Sequence, residues 1–387
     1  MKLFCVCFAF LPLVLFAQRE QLSLGNNTLE NTTERFDVFR LKMDSLNQGK
    51  CDKVRIVHIG DSHIQPDNLS GMTRKKFQAS YGNGGRGLIF PYTLAKTNGP
   101  KDFIATSATA WTNSWIINYP HKFAIGMPGI GIKSTTESGA FSLELRKDSI
   151  INPYSRGFLL YSLQDPKKGT VTVNKSITKT TSDMHFDTLS FKSATPQSKL
   201  DVSFSGASMT LHGVYVENDQ AGVIYNAAGV AGARYRDYLR NDFFIEQLPL
   251  FAPDLVIISL GTNESYDPSF TEAGFRQIVD SMFTMIHKRI PTSAVLITLP
   301  SENYRIKNGV ATVNQRIPII TNILREQSLK FGFAVWDLYE AMGGQGCMLE
   351  WKKAGLVNED HIHYLRKGYN LQGELLFEAI DKGLIKH

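Results

Sequence analysis

One apolar run that stops abruptly on a glycine constrains this chain most. Residues 54–59 read Val-Arg-Ile-Val-His-Ile and are followed by Gly60-Asp61-Ser62. Val54, Ile56, Val57 and Ile59 give the run the β-branched texture of a buried strand. Pro66 follows, and proline is tolerated in the first turn of a helix, where its missing N–H costs nothing. The expectation is strand, turn, then a helix over about 66–80. Ser62 would then stand at the carboxyl edge of a sheet, where α/β proteins place ligands, with its N–H near the positive end of a helix. That position suits a nucleophile whose product is an oxyanion. It suits equally a serine that merely caps a turn.

Two further stretches bear on the choice. Leu255-Val256-Ile257-Ile258-Ser259-Leu260 is a second buried-strand run, and it ends in Gly261-Thr262-Asn263-Glu264. Asn263 is thus also expected just past a strand end. Its amide is a candidate oxyanion donor, with a helix cap or a left-handed turn as the plain alternative. Near the C-terminus stands Asp360-His361-Ile362-His363. A serine hydroxyl needs a base, and the base needs a partner that fixes its tautomer. Asp360 and His363, three apart, are candidates for both.

Taken in order, Gly60-Asp61-Ser62, Asn226-Ala227-Ala228-Gly229-Val230-Ala231-Gly232, Gly261-Thr262-Asn263 and Asp360-His361-Ile362-His363 resemble the four blocks of the SGNH (GDSL-type) hydrolases. The resemblance covers residues 50–95 and 220–387. It implies a flavodoxin-like α/β core, a doubly wound and mostly parallel sheet. It also implies a serine esterase in which Ser62 is the nucleophile, His363 the base and Asp360 its partner. The oxyanion hole would be the Ser62 N–H, the Gly232 N–H and the Asn263 amide. Gly229 is the rival of Gly232. His361 is the rival of His363, which alone stands three after an Asp, as the family block requires.

The middle of the chain has another texture. From about 95 to 215, helical periodicity gives way to short β-branched or alternating runs, among them Ala140–Arg146, Gly157–Leu163 and Leu200–Ser205. Strands at that spacing suggest a β-sandwich, here inserted in the α/β core. The expected division is a signal peptide over 1–17, a linker and helix over 18–50, core over 51–94, an inserted β-sandwich over 95–215, and core again over 216–387. Such an insert, with Trp351 and Gly355-Leu356 ahead of the Asp/His block and His63 after the serine, resembles the bacterial peptidoglycan O-acetylesterases, whose β domain is similar to a carbohydrate-binding module.

After residue 216 the expected elements are a strand over 222–225, helices over 232–247 and 271–288, and a strand over 294–299. A long helix over 310–330, kinked at Pro318, a last strand over 333–337 and a closing helix over 370–385 complete the series. The glycine-rich Tyr81–Gly87 lacks the Lys-Ser/Thr of a phosphate loop and reads as a mobile loop near the site.

Composition sets the outer limits. Of 387 residues, 43% are hydrophobic and 20% charged, which is ordinary for a globular enzyme. The net charge of +6 is spread out, with no Lys/Arg block of the kind nucleic-acid binders carry. Met1-Lys2, an apolar run from Leu3 to Ala17 and then Gln18-Arg19-Glu20 have the layout of a cleaved secretory signal. The run falls short of the roughly 20 residues of a bilayer span, so no stable membrane span is expected after cleavage. The expected address is secreted or periplasmic, with a retained signal anchor as the alternative. Cleavage leaves Cys51 and Cys347, whose pairing the sequence does not decide. No cofactor and no metal are expected, because no Cys or His cluster has ligand spacing.

The implied activity is removal of O-acetyl groups from a glycan, peptidoglycan first. An acetylesterase on another polysaccharide, an O-acetyltransferase, and a glycan-binding protein with a relic site are the alternatives. His63, Trp111, Trp115 and Trp351 are the candidate substrate contacts. Each has a packing role as its alternative, since aromatic side chains in a sandwich usually fill the core.

Overall fold

The computed structural model describes Arg19 and residues 22–146, 153–175, 177–180 and 185–385. The expected signal peptide lies outside the described residues. In chain order the elements begin β1 (Leu29–Glu30), α1 (Glu34–Asn47), β2 (Lys53–Gly60), α2 (Leu69–Tyr81), β3 (Asn83–Gly85) and β4 (Gly87–Ile89). A β-rich stretch follows: β5 (Phe103–Thr106), β6 (Trp111–Trp115), β7 (Ile130–Ser134), β8 (Gly139–Leu145), β9 (Tyr154–Leu163), β10 (Thr170–Val173), β11 (Ile177–Thr180), β12 (Asp187–Gln197), β13 (Lys199–Ser205) and β14 (Met209–Glu217). Then come β15 (Gly222–Gly229), α3 (Tyr235–Leu239), α4 (Phe244–Gln247), β16 (Leu255–Ser259), α5 (Thr262–Tyr266), α6 (Glu272–Arg289) and β17 (Ala294–Leu299). The chain closes with β18 (Tyr304–Lys307), β19 (Val310–Val313), α7 (Arg316–Phe331), β20 (Ala334–Asp337), α8 (Leu338–Ala341), α9 (Cys347–Lys353) and α10 (Arg366–Leu384).

The fold is mixed α/β around a seven-stranded sheet in the order β1-β20-β17-β16-β2-β15-β3. Its strands pair in parallel except β1, which runs antiparallel to β20. The apolar runs explain why helices cover both faces. Val54, Ile56, Leu255, Ile257, Leu296 and Trp336 point into one core, with Phe39 of α1 and Leu375 of α10. The residues between them, Val57, Ile59, Val256, Ile258, Ile297 and Val335, point into the other, with Val279 of α6 and Leu324 of α7. That is the period-two alternation of a strand buried on both sides.

Residues 87–217 build two antiparallel sheets, β11-β10-β13-β8-β5 and β12-β9-β14-β7-β6, with β4 pairing β14. Their apolar residues, such as Trp111, Phe141, Leu159 and Val214, belong to the same buried cluster as the α6–α7 face of the core. The β region takes one strand, β4, from ahead of residue 95. A buried ion cluster fastens the junction: Asp67 bonds Arg74 at 2.6 Å, and Arg86 bonds Asp102 at 2.6 Å, ahead of β5. Breaking such a network strands a buried charge, which is why it holds.

Several expected elements differ. α2 begins at Leu69 and not at Pro66, because Asp67 takes a left-handed φ of 58° and its carboxylate is held by Ser70 and Arg74. The glycine-rich stretch is not a mobile loop but β3 and β4; a Cβ on Gly87 would lie 2.5 Å from the Asn226 amide, so glycine permits a close approach. The helix expected over 232–247 is two short ones, α3 and α4. The Asn241 side chain bonds Gly126 O and the Phe243 N–H there, offering the backbone a partner other than the helix. The helix expected over 310–330 opens as the hairpin β18–β19, since Val310 and Val313 are β-branched strand residues. α7 starts only at Arg316, which puts Pro318 in the first turn, where no kink results. Cys51 and Cys347 are both free thiols. Among the described residues, no helix is long and apolar enough to cross a membrane.

Candidate active site

Three strand ends converge. In register, Gly229 of β15 and Ser259 of β16 flank Gly60 of β2, so the loops that follow all leave from one carboxyl edge of the sheet. The β2 loop is a tight turn, with the Ile64 and Gln65 N–H groups both donating to Asp61 O at 3.1 and 3.0 Å. Gly229 makes room for it; a Cβ there would meet Gln65 N at 2.4 Å. Ser62 sits in this turn.

The loop between α9 and α10 brings the other partners. Ser62 Oγ lies 2.9 Å from His363 Nε2, and His363 Nδ1 lies 2.7 Å from Asp360 Oδ2. Asp360 Oδ1 also accepts the backbone N–H groups of Ile362 and His363 at 3.0 and 2.9 Å. A carboxylate can only accept, so the His363 proton belongs on Nδ1 and Nε2 is left to accept the serine hydroxyl. Burial pushes Asp360 up, but the hydrogen bonds from the His363 ring and backbone outweigh it and hold the carboxyl below the usual range. His361, the rival base, has a left-handed φ of 54° and turns its ring to Lys352 Nζ at 3.1 Å and to Tyr304.

The donors for an oxyanion are not as the sequence suggested in one respect. The Ser62 and Gly232 N–H groups have no hydrogen-bond partner among the described residues. Gly232 is exposed with φ 83°, whereas Gly229, its rival, is buried in the ladder of β15. Asn263, however, spends its amide on the protein. Its Nδ2 donates to Asp61 Oδ2 at 3.1 Å and to Ala233 O at 3.0 Å. It lies in the first turn of α5, so it is neither the cap nor a left-handed turn residue. Tying Asp61 to Ala233 makes it a strut between the neighbour of Ser62 and the neighbour of Gly232.

Beneath these groups lie two buried acids. Burial pushes Asp61 up to about 7, although the His63 N–H bond acts against it. Burial likewise pushes Glu264 up to about 8; its Oε1 accepts the Tyr235 N–H at 2.7 Å. His58 is enclosed between Tyr225 Oη at 2.7 Å and Ser259 Oγ at 2.6 Å, and burial holds it down at about 3.

The candidate substrate contacts separate into two groups. Trp351 is fully buried against Tyr364, and Trp111 is 8% exposed and packs edge-on against Phe141 and Phe204. Both are core residues: neither presents a face to a sugar. Trp115 is half-buried against the same core as Trp111. His63 is half-buried, with Nδ1 bonded to Tyr369 Oη at 3.0 Å and its ring 5.2 Å from that of His363. Burial, then the His363 charge, push His63 down to about 3, so it stays neutral beside a protonated His363.

Sequence reasoning assigned no role to Asp61 beyond its block, nor to Gln65, Tyr238 or Tyr369. Tyr238 Oη donates to Gly60 O at 2.8 Å and so fastens the end of β2. Only spatial neighbourhood identifies these residues. A separate cavity of about 600 Å³, lined by Arg55, Phe158, Tyr215 and Glu217 among others, opens at the other end of β2. Its carboxylate is spent internally, since Glu217 accepts from Arg55, Arg156 and Tyr215 at 3.1, 2.5 and 2.6 Å. Among the described residues no group of three or more His, Cys, Asp or Glu is placed to hold a metal.

Comparison with known proteins agrees with this geometry. Residues 206–371 match the GDSL-like Lipase/Acylhydrolase family, a range that contains Gly232, Asn263, Asp360 and His363. No curated protein matches the chain. Among solved structures, a peptidoglycan O-acetylesterase is 24% identical with a TM-score of 0.79, covering 90% of this chain and 96% of its own. That likeness shows a shared fold over nearly the whole length. An acetyl xylan esterase is 18% identical with a TM-score of 0.34, over 42% of this chain and 82% of its own. A family two carbohydrate esterase from Cellvibrio japonicus is 9% identical with a TM-score of 0.29, over 73% and 98%. Residues 206–371, which carry these four residues at the carboxyl edge of a parallel sheet, are thus similar to the GDSL-like lipase/acylhydrolase family, and the chain as a whole shares the fold of a peptidoglycan O-acetylesterase.

Proposed function

We propose that this protein is an exported serine esterase that removes O-acetyl groups from a glycan, O-acetylated peptidoglycan first. The observation that carries the reading is the unbroken chain Ser62–His363–Asp360, at 2.9 and 2.7 Å, beside the Ser62 and Gly232 N–H groups, which have no partner among the described residues. The fold shared with a peptidoglycan O-acetylesterase supports the choice of glycan. The N-terminal charge and apolar run support export. The β region, which the notional division places at 95–215 as an inserted sandwich, would flank the cleft and meet the polymer.

In this reading His363 Nε2 takes the Ser62 proton as Oγ attacks the acetyl carbonyl. The carbonyl oxygen, now negative, accepts from the Ser62 and Gly232 N–H groups. The Asn263 amide reaches it only by giving up its bond to Asp61 or Ala233. Asp360 stabilises the imidazolium by holding Nδ1–H. His363 then hands its proton to the departing sugar oxygen, which leaves acetyl on Ser62. Water, deprotonated by the same imidazole, releases acetate and restores the serine. No step needs a metal or a cofactor.

The experiment compares acetate release from O-acetylated peptidoglycan and from acetylated xylan, with wild type and Ser62→Ala. Faster release from peptidoglycan, absent in the variant, supports the proposal. Faster release from xylan moves the substrate to another polysaccharide. Release unaffected by Ser62→Ala overturns the mechanism.

A further inference from the structure

Gln65 lies three residues after Ser62, is 2% exposed, and bonds in two directions. Its Oε1 accepts the Ala231 N–H at 2.7 Å. Its Nε2 faces Thr97 Oγ1, Asn98 O and Asn98 Oδ1 at 3.0, 2.9 and 2.7 Å. The amide is therefore oriented: a flip would set its oxygen against the two Asn98 oxygens and its NH₂ against a donor. The backbone of the same residue closes the Ser62 turn through its bond to Asp61 O. Gln65 thus belongs to the nucleophile's turn by its main chain and grips the Gly232 loop by its side chain.

Gly232 needs such help. It carries no side chain, its φ of 83° is left-handed, and a Cβ there would find a single neighbour, Ile117, at 3.9 Å. What sets the direction of its N–H is the fixing of the residues on either side. Ala233 is held by its N–H to Val230 O at 2.9 Å and by Asn263 on its carbonyl. Ala231 is held by Gln65.

We propose that Gln65 is the positioning residue that keeps the Gly232 N–H in register with Ser62, and that through Thr97 and Asn98 it ties both to the segment leading into the β region. The proposal rests on the reading of Ser62 and Gly232 as nucleophile and oxyanion donor. Ala231 and Asn98 are exposed, so water replaces their lost bonds when Gln65 is changed. The loss falls on geometry more than on stability. A misplacement of about 1 Å can cost about 100-fold in rate.

The test uses the full mature chain and an aryl acetate. Gln65→Met, close in shape but without hydrogen bonds, should lower kcat by about 10- to 100-fold with KM within about threefold. The rate of inactivation by an aryl fluorophosphonate, which also needs the oxyanion donors, should fall in parallel. In the wild type, the Ala231 amide should exchange slowly with deuterium although the residue is exposed. Wild-type kcat in folded Gln65→Met, an unchanged rate of inactivation in that variant, or a fast-exchanging Ala231 amide overturns the inference alone. Wild-type protein inert toward the aryl acetate overturns the esterase reading, and the inference with it.

Discussion

Asp360 holds His363 twice, accepting the ring Nδ1–H on one carboxylate oxygen at 2.7 Å and the backbone N–H on the other at 2.9 Å. The three-residue spacing permits this: the chain turns just far enough to present ring and amide to the same side chain. The imidazole is therefore fixed in tautomer and in angle before any substrate arrives.

Replacing Asp360 by Asn should leave the loop nearly intact while removing the acceptor that sets the tautomer. In a serine triad such a change costs roughly 10⁴-fold in kcat. Kinetics on an aryl acetate, with circular dichroism to show an unchanged fold, would check it. A loss below tenfold would mean that Asp360 does not direct the imidazole.

Asn263→Ala should reduce kcat by about 10- to 100-fold, because it removes the strut that holds the Ser62 and Gly232 loops in place, and a misplacement of about 1 Å can cost about 100-fold. The structure adds a second consequence. Asp61 loses a hydrogen bond in a buried setting, so the melting temperature should fall too. An unchanged melting temperature would show that the strut between Asp61 and Ala233 is dispensable.

Stability should decline as pH rises from about 5 to 9. Glu264 is raised in the fold to about 8, and Asp61 to about 7, both by burial. A group raised on folding contributes stability that is complete below its unfolded pKa and lost as pH climbs through the folded one. Glu264→Gln keeps the acceptor for Tyr235 and removes one titration. It should therefore melt higher than wild type at pH 9 and about equally at pH 5. Equal melting temperatures at both pH values would contradict the raised carboxyl.

Trp111→Ala should behave as a core deletion, destabilising by about 3–5 kcal/mol. It fills the space beside Phe141 and Phe204. Activity on polymer and on aryl acetate should fall together as the melting point drops. Selective loss on polymer with unchanged melting would return Trp111 to the substrate surface.

The sequence was legible where one local rule decided the outcome. β2 and β16 are apolar on both faces, β2 ending on Gly60 and β16 two residues ahead of Gly261, and the residues past those ends, Ser62 and Asn263, stand at the site. His363 was separable from His361 by its spacing from Asp360 alone. Legibility failed where a distant side chain competes with a local preference. Asn241 divides α3 from α4 through Gly126, and Asp67 delays α2 through Arg74. Trp111 and Trp351 look alike on paper whether they face a sugar or a core; Phe141 and Tyr364 decide it. The direction of the Asn263 amide depends on Asp61 and Ala233, some 200 and 30 residues away, and no spacing rule contains that.

The central claim is that Ser62 carries the acyl group. The direct measurement is the mass of peptides from protein mixed with an aryl acetate and quenched in acid. The account predicts one added acetyl group on the peptide containing Ser62, and none in Ser62→Ala. Acetyl on a different residue, or full turnover by Ser62→Ala, would contradict it.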